Sequence, residues 1–194
     1  MSADIDFYNI EKRKQTGNWP VPEQSAYGMI PYLKRTLSDL VGIEVGVLKG
    51  ENVYTLLESL PSIKKIWGVD NYLPHTDFDT VRTEEQMKEF ERIAKENLSS
   101  FGDRYELLKQ KSVDAVSTFQ PESIDFILLD CEHTYEGVRR DLDVYYPLLK
   151  KGGYMFVHDT FSIPIVDAIL NWKSDNRVRS PVHKSKNYVD FWQK

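Results

Sequence analysis

Five short apolar runs, at 41–45, 66–69, 105–109, 124–129 and 154–157, alternate with segments of helical periodicity, and this alternation leaves few folds open to the chain. Short, continuous apolar runs read as strands buried on both faces. Helical patterns separate them at 51–59, at 83–99 (Met87, Phe90, Ile93, Ala94, Leu98) and at 135–149, with a short turn near 113–119 and a further helix at 165–174. Such repetition implies right-handed crossovers and a mostly parallel α/β sheet with helices on both faces. Two closing strands are expected at 178–183 and 188–193, with no helix between them. Ahead of the first strand, Tyr27, Ile30, Leu33 and Leu37 recur at helical spacing over 25–39, and Pro31 either starts or kinks that helix. Residues 1–24 are polar, end in Asn18-Trp19-Pro20-Val21-Pro22, and read as a loop segment before a domain over 25–194.

Composition removes several classes of function. With 25 Lys and Arg against 30 Asp and Glu, the chain lacks the basic excess of a nucleic-acid binder. The single cysteine, Cys131, excludes an intramolecular disulfide framework and a Cys-rich zinc site. No apolar run approaches the ~18 residues that span a bilayer. The opening MSADIDFYNIEKRK lacks the apolar stretch of a signal peptide, so a cytoplasmic protein is expected.

In a parallel α/β sheet, ligands bind beyond the carboxyl ends of the strands, near the point where strand order reverses. The first strand ends in Ile43-Glu44-Val45-Gly46-Val47-Leu48-Lys49-Gly50. Gly46 permits a tight turn and close approach of a ligand, although a plain strand-to-helix turn needs it equally. The segment is neither G-x-G-x-x-G nor a phosphate loop, and Glu44 would repel a pyrophosphate but suits an ammonium group. Asp70, at the end of the second strand, can accept two ribose hydroxyls; a helix cap or a solvated loop is the plainer use. The segment 124–160 holds two further strand-end acids, Asp130 and Asp159, accompanied by His133 and His158. Adjacent strands lie about 4.8 Å apart, so these groups can converge on one ion or one hydroxyl. Oxygen ligands with one imidazole suit Mg²⁺ or Mn²⁺, or Fe²⁺ or Zn²⁺ if His158 binds. Against this, Asp159 also suits a turn cap, His133 a helix entry, and His158 a packed, hydrogen-bonded position.

The pattern Asp130-x-x-His133-x-Tyr135-Glu136-Gly137-x-x-x-Asp141-Leu142, followed by Leu148-Leu149-x-x-Gly152-Gly153 and His158-Asp159, resembles class I S-adenosylmethionine-dependent methyltransferases. Within them it is similar to the small-molecule group that includes the macrolide- and aminocoumarin-sugar O-methyltransferases and the cephalosporin hydroxylase-like proteins. The resemblance covers roughly residues 38–194. It implies a Rossmann-like, doubly wound, seven-stranded sheet whose last strand is antiparallel. It also implies that Glu44 and Gly46 line the methionine part of the cofactor, that Asp70 holds the ribose, and that Ser112, after Lys111, sits by the adenine. Asp130 would serve both cofactor and metal, Asp159 and His158 would complete the metal site, and His133 would be the general base. The family places two acidic or amide residues side by side at the last ligand pair, whereas here Asp159 stands between His158 and Thr160.

The implied reaction is in-line displacement of the sulfonium methyl by the hydroxyl of a small molecule, a sugar or sugar-bearing metabolite, assisted by a divalent cation (Mg or Mn). A catechol- or phenol-type acceptor, or a non-catalytic cofactor-binding protein, are the other readings. Asp77, Asp79 and Arg82 lie in a loop able to overhang the site, with a solvated loop the default. The mildly basic end (Arg177, Arg179, Lys184, Lys186, Lys194) would meet a phosphate-bearing acceptor such as a nucleotide-linked sugar, and otherwise reads as a solvated face. Tyr8, Trp19, Tyr27 and Tyr32 offer a lid, with core packing the default. So short a chain leaves a homo-oligomeric neighbour to help close the site.

Overall fold

The computed structural model describes residues 25–35, 39–78 and 80–194. The apolar runs form the strands β1 (Leu40–Val45), β2 (Ile63–Val69), β5 (Tyr105–Leu108), β6 (Ile124–Leu129) and β7 (Leu149–Val157), all parallel. Two more strands, β8 (His183–Lys184) and β9 (Asp190–Gln193), close the sheet, which runs in the order β5-β2-β1-β6-β7-β9-β8, and β9 is antiparallel to both neighbours. The Rossmann-like order and the antiparallel last strand match the expected fold.

Side-chain alternation along the strands feeds two cores, one on each face of the sheet. Ile127 and Leu129 of β6 face one way, with Leu142 and Tyr145 of α5 (Tyr135–Tyr145) and Ile165, Ile169 and Trp172 of α6 (Ile163–Asp175). Phe126 and Leu128 face the other way, with Met29 and Leu33 of α1 (Ser25–Leu33), Leu56 and Leu57 of α2 (Glu51–Ser59), and Leu98 of α3 (Glu84–Leu98). Gly42 faces Phe126 in register, and a Cβ there would lie 2.1 Å from the ring, so the aromatic takes the space that the glycine leaves. The register of β6 against β7 shifts at Asp125, whose carboxylate accepts from Val41 N at 2.8 Å and from Lys150 Nζ at 2.8 and 2.9 Å, tying β1, β6 and β7 together.

Local chemistry sets the helix starts. Thr83 and Gln86 form a capping box on α3, each bonding the other's backbone N–H. Thr134 accepts from Gly137 N at 3.0 Å and starts α5 immediately after His133. α4 is a single turn, Ser112–Ala115, continued by a 3₁₀ turn at Val116–Thr118.

Several expected boundaries move. The helix expected to reach residue 149 ends at Tyr145, because Pro147 has no N–H to continue it; a 3₁₀ turn follows, and Leu149 already belongs to β7. β7 is therefore five residues longer at its start than the run at 154–157. The strand expected at 178–183 shrinks to His183–Lys184, since Pro181 lacks a ladder donor. α1 ends at Leu33 instead of reaching residue 39 and runs through Pro31. A hairpin of β3 (His75–Asp77) and β4 (Thr80–Arg82) was not anticipated, because three-residue strands leave no periodicity to read. The expected segment 1–24, with Tyr8 and Trp19, lies outside the described residues, as do Leu37, Asp79 and the side chain of Asp77. Among the described residues no helix is long and apolar enough to cross a membrane.

Candidate functional site

The connections of β1 and β6 leave in opposite directions along the sheet, so a crevice opens beyond their carboxyl ends. Glu44, Gly46 and Asp130 stand there, Asp70 follows the end of β2, and His158 and Asp159 follow the end of β7. Gly46 adopts φ 93°, and a Cβ on it would lie 1.9 Å from the Asp130 carbonyl oxygen. The two strand ends are fastened by Gly46 N to Val69 O at 2.9 Å and Asp130 N to Val45 O at 2.8 Å.

Glu44 is 2% exposed, and neither of its carboxylate oxygens has a hydrogen-bond partner among the described residues. Burial, then the neighbouring Asp130 charge, pushes its pKa well above the ordinary carboxylate range, while the Asn52 amide beside it works the other way. A buried, unpartnered carboxyl is costly to maintain unless a donor comes to it. Asn52 itself links the first turns of two helices to the crevice. Its Oδ1 accepts from Ala26 N at 3.1 Å, its Nδ2 donates to Asp130 Oδ2 at 3.2 Å, and Ser25 Oγ lies 3.4 Å from that same oxygen.

Asp70 accepts from Val47 N and Leu48 N, both at 3.0 Å, and from Tyr72 N at 2.8 Å. It thus shapes the loop after β1, and about one of a carboxylate's four acceptor sites is left for a ribose hydroxyl. Ser112 Oγ donates to the buried Asp141 at 2.7 Å, and Cys131 Sγ donates to the other oxygen of Asp141 at 3.1 Å. With its proton given to Asp141, the Ser112 hydroxyl keeps acceptor capacity for an exocyclic amine. Burial, followed by the adjoining Asp141, pushes the Cys131 thiol well up, so this cysteine is a packed donor and not a nucleophile.

At the ends of β6 and β7, four groups converge where three ligands were anticipated. His158 Nδ1 lies 3.0 Å from Asp130 Oδ1 and 3.3 Å from Asp159 Oδ1; His133 Nε2 lies 3.0 Å from Asp159 Oδ2 and 3.6 Å from Asp130 Oδ1. Asp130, His133 and Asp159 each place one ligand atom within 4.8 Å of the others. Burial alone would raise the Asp130 pKa, but His158 and His133 outweigh it and hold the carboxyl well below its ordinary range. Burial opposes the charge on His158 too, and Asp130 then Asp159 overcome it, raising the imidazole pKa. Two carboxylates and an imidazole at these separations suit a hard divalent cation.

The unanticipated hairpin brings one further group. Phe78, at its tip, stacks on His133 with ring centroids 5.0 Å apart and planes within 10°. Phe161 stacks on Phe78 at 5.7 Å, and Tyr188 meets Phe161 edge-on at 5.3 Å. The three aromatics are 49%, 57% and 62% exposed, so an apolar wall leads outward from His133. Arg82 does not join it, its guanidinium lying over the Phe90 ring of α3. An aromatic in a polar turn, as Phe78 is between two aspartates, was the available signal for this wall. Asn52, in the first turn after Gly50, was the signal for the link to α1.

A family model described as a methyltransferase domain matches residues 43–160. Uncharacterized protein R132 of Acanthamoeba polyphaga mimivirus is 26% identical over 125 residues, 62% of this chain and 52% of that protein, so the chain spans about half the length of the curated relative it matches. Among solved structures, the O-methyltransferase NovP superposes with a TM-score of 0.62 at 18% identity, covering 94% of this chain and 79% of NovP. An O-methyltransferase from Bacillus cereus in complex with SAH superposes with a TM-score of 0.61 at 14% identity, covering 97% and 90%. At these identities the likeness is one of fold.

Proposed function

Since the chain belongs to the methyltransferase-domain family, we propose that it moves a methyl group from S-adenosylmethionine to a hydroxyl of a small molecule, a sugar or sugar-bearing metabolite. The observation that carries this reading is the convergence of Asp130, Asp159, His133 and His158 beside the Glu44 carboxyl, whose oxygens have no hydrogen-bond partner among the described residues.

The donor supplies an electron-poor methyl that leaves sulfur as an acceptor oxygen displaces it. The residues present fit such a molecule. Glu44 offers its two oxygens to the ammonium group, the bare backbone at Gly46 admits close approach, Asp70 receives a ribose hydroxyl, and Ser112 receives the adenine amine. Holding donor and acceptor in line supplies much of the acceleration, up to about 7–11 kcal/mol when the geometry is near attack.

An alcohol is a weak nucleophile at neutral pH, and the cluster addresses that. Asp130, Asp159 and one imidazole would hold a divalent cation, which lowers the pKa of a bound hydroxyl. The second imidazole then remains as proton acceptor, a contribution of about 10²–10⁴-fold. His158 Nδ1 contacts both carboxylates from the strand end, so we assign it to the ligand set. His133 stacks on Phe78 at the root of the aromatic wall, so we assign it the acceptor proton. The same wall also suits a phenolic ring, which keeps a catechol-type acceptor as the second reading.

Methyl transfer measured against a panel of glycosides and phenols, with Mn²⁺ or with EDTA, tests this. The proposal expects activity lost in EDTA and restored by Mn²⁺, Mn²⁺ affinity lost in His158→Ala, and Mn²⁺ affinity kept but rate lost in His133→Ala. Full activity of His133→Ala in EDTA overturns the mechanism, and absence of SAH binding overturns the donor.

A further inference from the structure

The Lys184–Lys186 segment of the basic end borders an open cavity of about 340 Å³ lined by Tyr27, Pro31 and Tyr32 of α1 and by Lys184, Ser185 and Lys186 across from them. That volume lies in the range of small-ligand sites. We infer that this cavity is the outer half of the acceptor site and takes a phosphate or diphosphate group carried by the acceptor. The inference rests on the proposed methyl transfer for the identity of the molecule, but not for the anion site itself.

Both walls are rooted at the reaction centre. On one side, Ser25 at the start of α1 lies 3.4 Å from Asp130 Oδ2. At 1.5 Å of rise per residue, Tyr27 and Tyr32 follow about 3 and 10 Å further along the helix axis. On the other side, Thr160, the residue after Asp159, donates from its backbone N to Tyr188 O at 3.1 Å, tethering the turn that follows the lysines. The two segments that line the cavity are thus tied to Asp130 and to the residue after Asp159.

The walls are also held in place against one another. Ser185 Oγ donates to Gly28 O at 2.7 Å, and a Cβ on Gly28 would lie 2.6 Å from Lys186 O, so helix and turn touch backbone to backbone. Tyr32 packs on Phe191 of β9 with centroids 4.1 Å apart. Backbone fixed in this way presents two lysine side chains at set positions, while their flexible ends remain exposed.

Charge gives the direction. The crevice proper is acidic, with Glu44, Asp70, Asp130 and Asp159, and repels a bare anion. Among the described residues neither Lys184 nor Lys186 has an ion-pair partner within 4 Å. Asp190, opposite Lys184 in the strand register, already accepts from Thr160 Oγ1 at 3.0 Å. Two ammonium groups beside an acidic mouth orient a phosphate-bearing acceptor with its anion outward and its hydroxyl inward.

Calorimetry with inorganic pyrophosphate, uridine diphosphate and uridine tests the inference on the whole chain, with SAH titrated separately. The expected result is binding of pyrophosphate and of the diphosphate at one shared site, with uridine at least tenfold weaker. Lys184→Ala/Lys186→Ala should weaken both anions tenfold or more and leave SAH affinity unchanged; both positions are exposed, and an unaltered melting temperature verifies folding. Equal anion affinity in the wild type and the double variant overturns the inference. So does uridine binding as tightly as its diphosphate, or a loss of SAH affinity in the double variant, which would give the cavity to the donor. Anion binding at the lysines without any SAH binding would sustain this site and reject the methyl-transfer reading.

Discussion

The backbone of Gly46 lies so close to that of Asp130 that a methyl on its Cα would sit 1.9 Å from the Asp130 carbonyl oxygen. Through this approach the end of β1, which carries Glu44, and the end of β6, which carries Asp130, form one rim. Any side chain at residue 46 must push them apart.

Gly46→Ala is accordingly expected to lose SAH binding and to cost about 3 kcal/mol, from strain at φ 93° together with overpacking against Asp130. Chemical denaturation and calorimetry with SAH measure the two effects. A variant with wild-type affinity would show that the rim can open without consequence.

Glu44→Gln should separate stability from binding. The buried carboxyl has no hydrogen-bond partner among the described residues and stands beside Asp130, so replacing it with an amide removes the penalty on its ionised form and should stabilise the ligand-free chain at high pH, by up to about 1–2 kcal/mol. The same change removes the charge-assisted partner for an ammonium, and SAH should bind about 10–100-fold more weakly. The rise in melting temperature on adding SAH should therefore be smaller in the variant than in wild type; an undiminished rise would place the ammonium elsewhere.

Phe78→Ala tests the aromatic wall. Phe78 is half-exposed, so its truncation should change stability by no more than about 0.5 kcal/mol. It removes the ring stacked on His133, and KM for the acceptor should rise about tenfold while SAH affinity stays unchanged. Steady-state kinetics with the acceptor identified from the panel decides. A fall in kcat without change in KM would make Phe78 a support for the imidazole and not a surface for the acceptor.

Lys173, far along α6, lends itself to a pH experiment. The residue is 7% exposed, its ammonium lies 4.6 Å over the Trp192 ring and 3.4 Å from Ser180 Oγ, and burial pulls its pKa down to about 8. In the unfolded chain a lysine keeps its proton up to about pH 10.4. Between about pH 8 and 10 the unfolded state thus binds more protons, and stability should rise with pH across that window. Below pH 8 the cost of the buried charge is felt in full. Lys173→Met should stabilise the protein by about 1–2 kcal/mol at pH 7, net of the lost ring contact, and flatten the rise above pH 8. Urea denaturation at pH 7 and pH 9.5 gives both numbers.

Much of this architecture was legible along the chain, and the misses have physical causes. The buried strands were found because continuous apolar runs survive whatever packs on them. Their ends differ from expectation where proline removes a donor, at Pro147 and Pro181, or where a strand runs through residues that are not apolar, as β7 does at Lys150-Lys151-Gly152-Gly153. The hairpin at 75–82 escapes the sequence pattern because its two strands hold three residues each, too few for an alternation to repeat. The strand-end acids Glu44, Asp70, Asp130 and Asp159 were recognisable, since the ends of buried strands are where a parallel sheet exposes its chemistry.

What linear order could not supply is how those acids divide their work. Asp70 turned out to accept two amides of the loop after β1 and one of its own loop, and Ser112 gives its proton to Asp141. The chain determined alone which acidic and imidazole groups reach the mouth, because burial periodicity dictates where each strand must stop. Only the tertiary structure decided that the Glu44 oxygens lack a hydrogen-bond partner among the described residues while Asp130 has several, that both histidines reach the same two carboxylates, and that Phe78 stacks on one of the histidines. Those outcomes depend on contacts between segments as far apart as residues 25 and 130. Distances of a few tenths of an ångström there separate a hydrogen bond from an empty place, and no local pattern of residues encodes them.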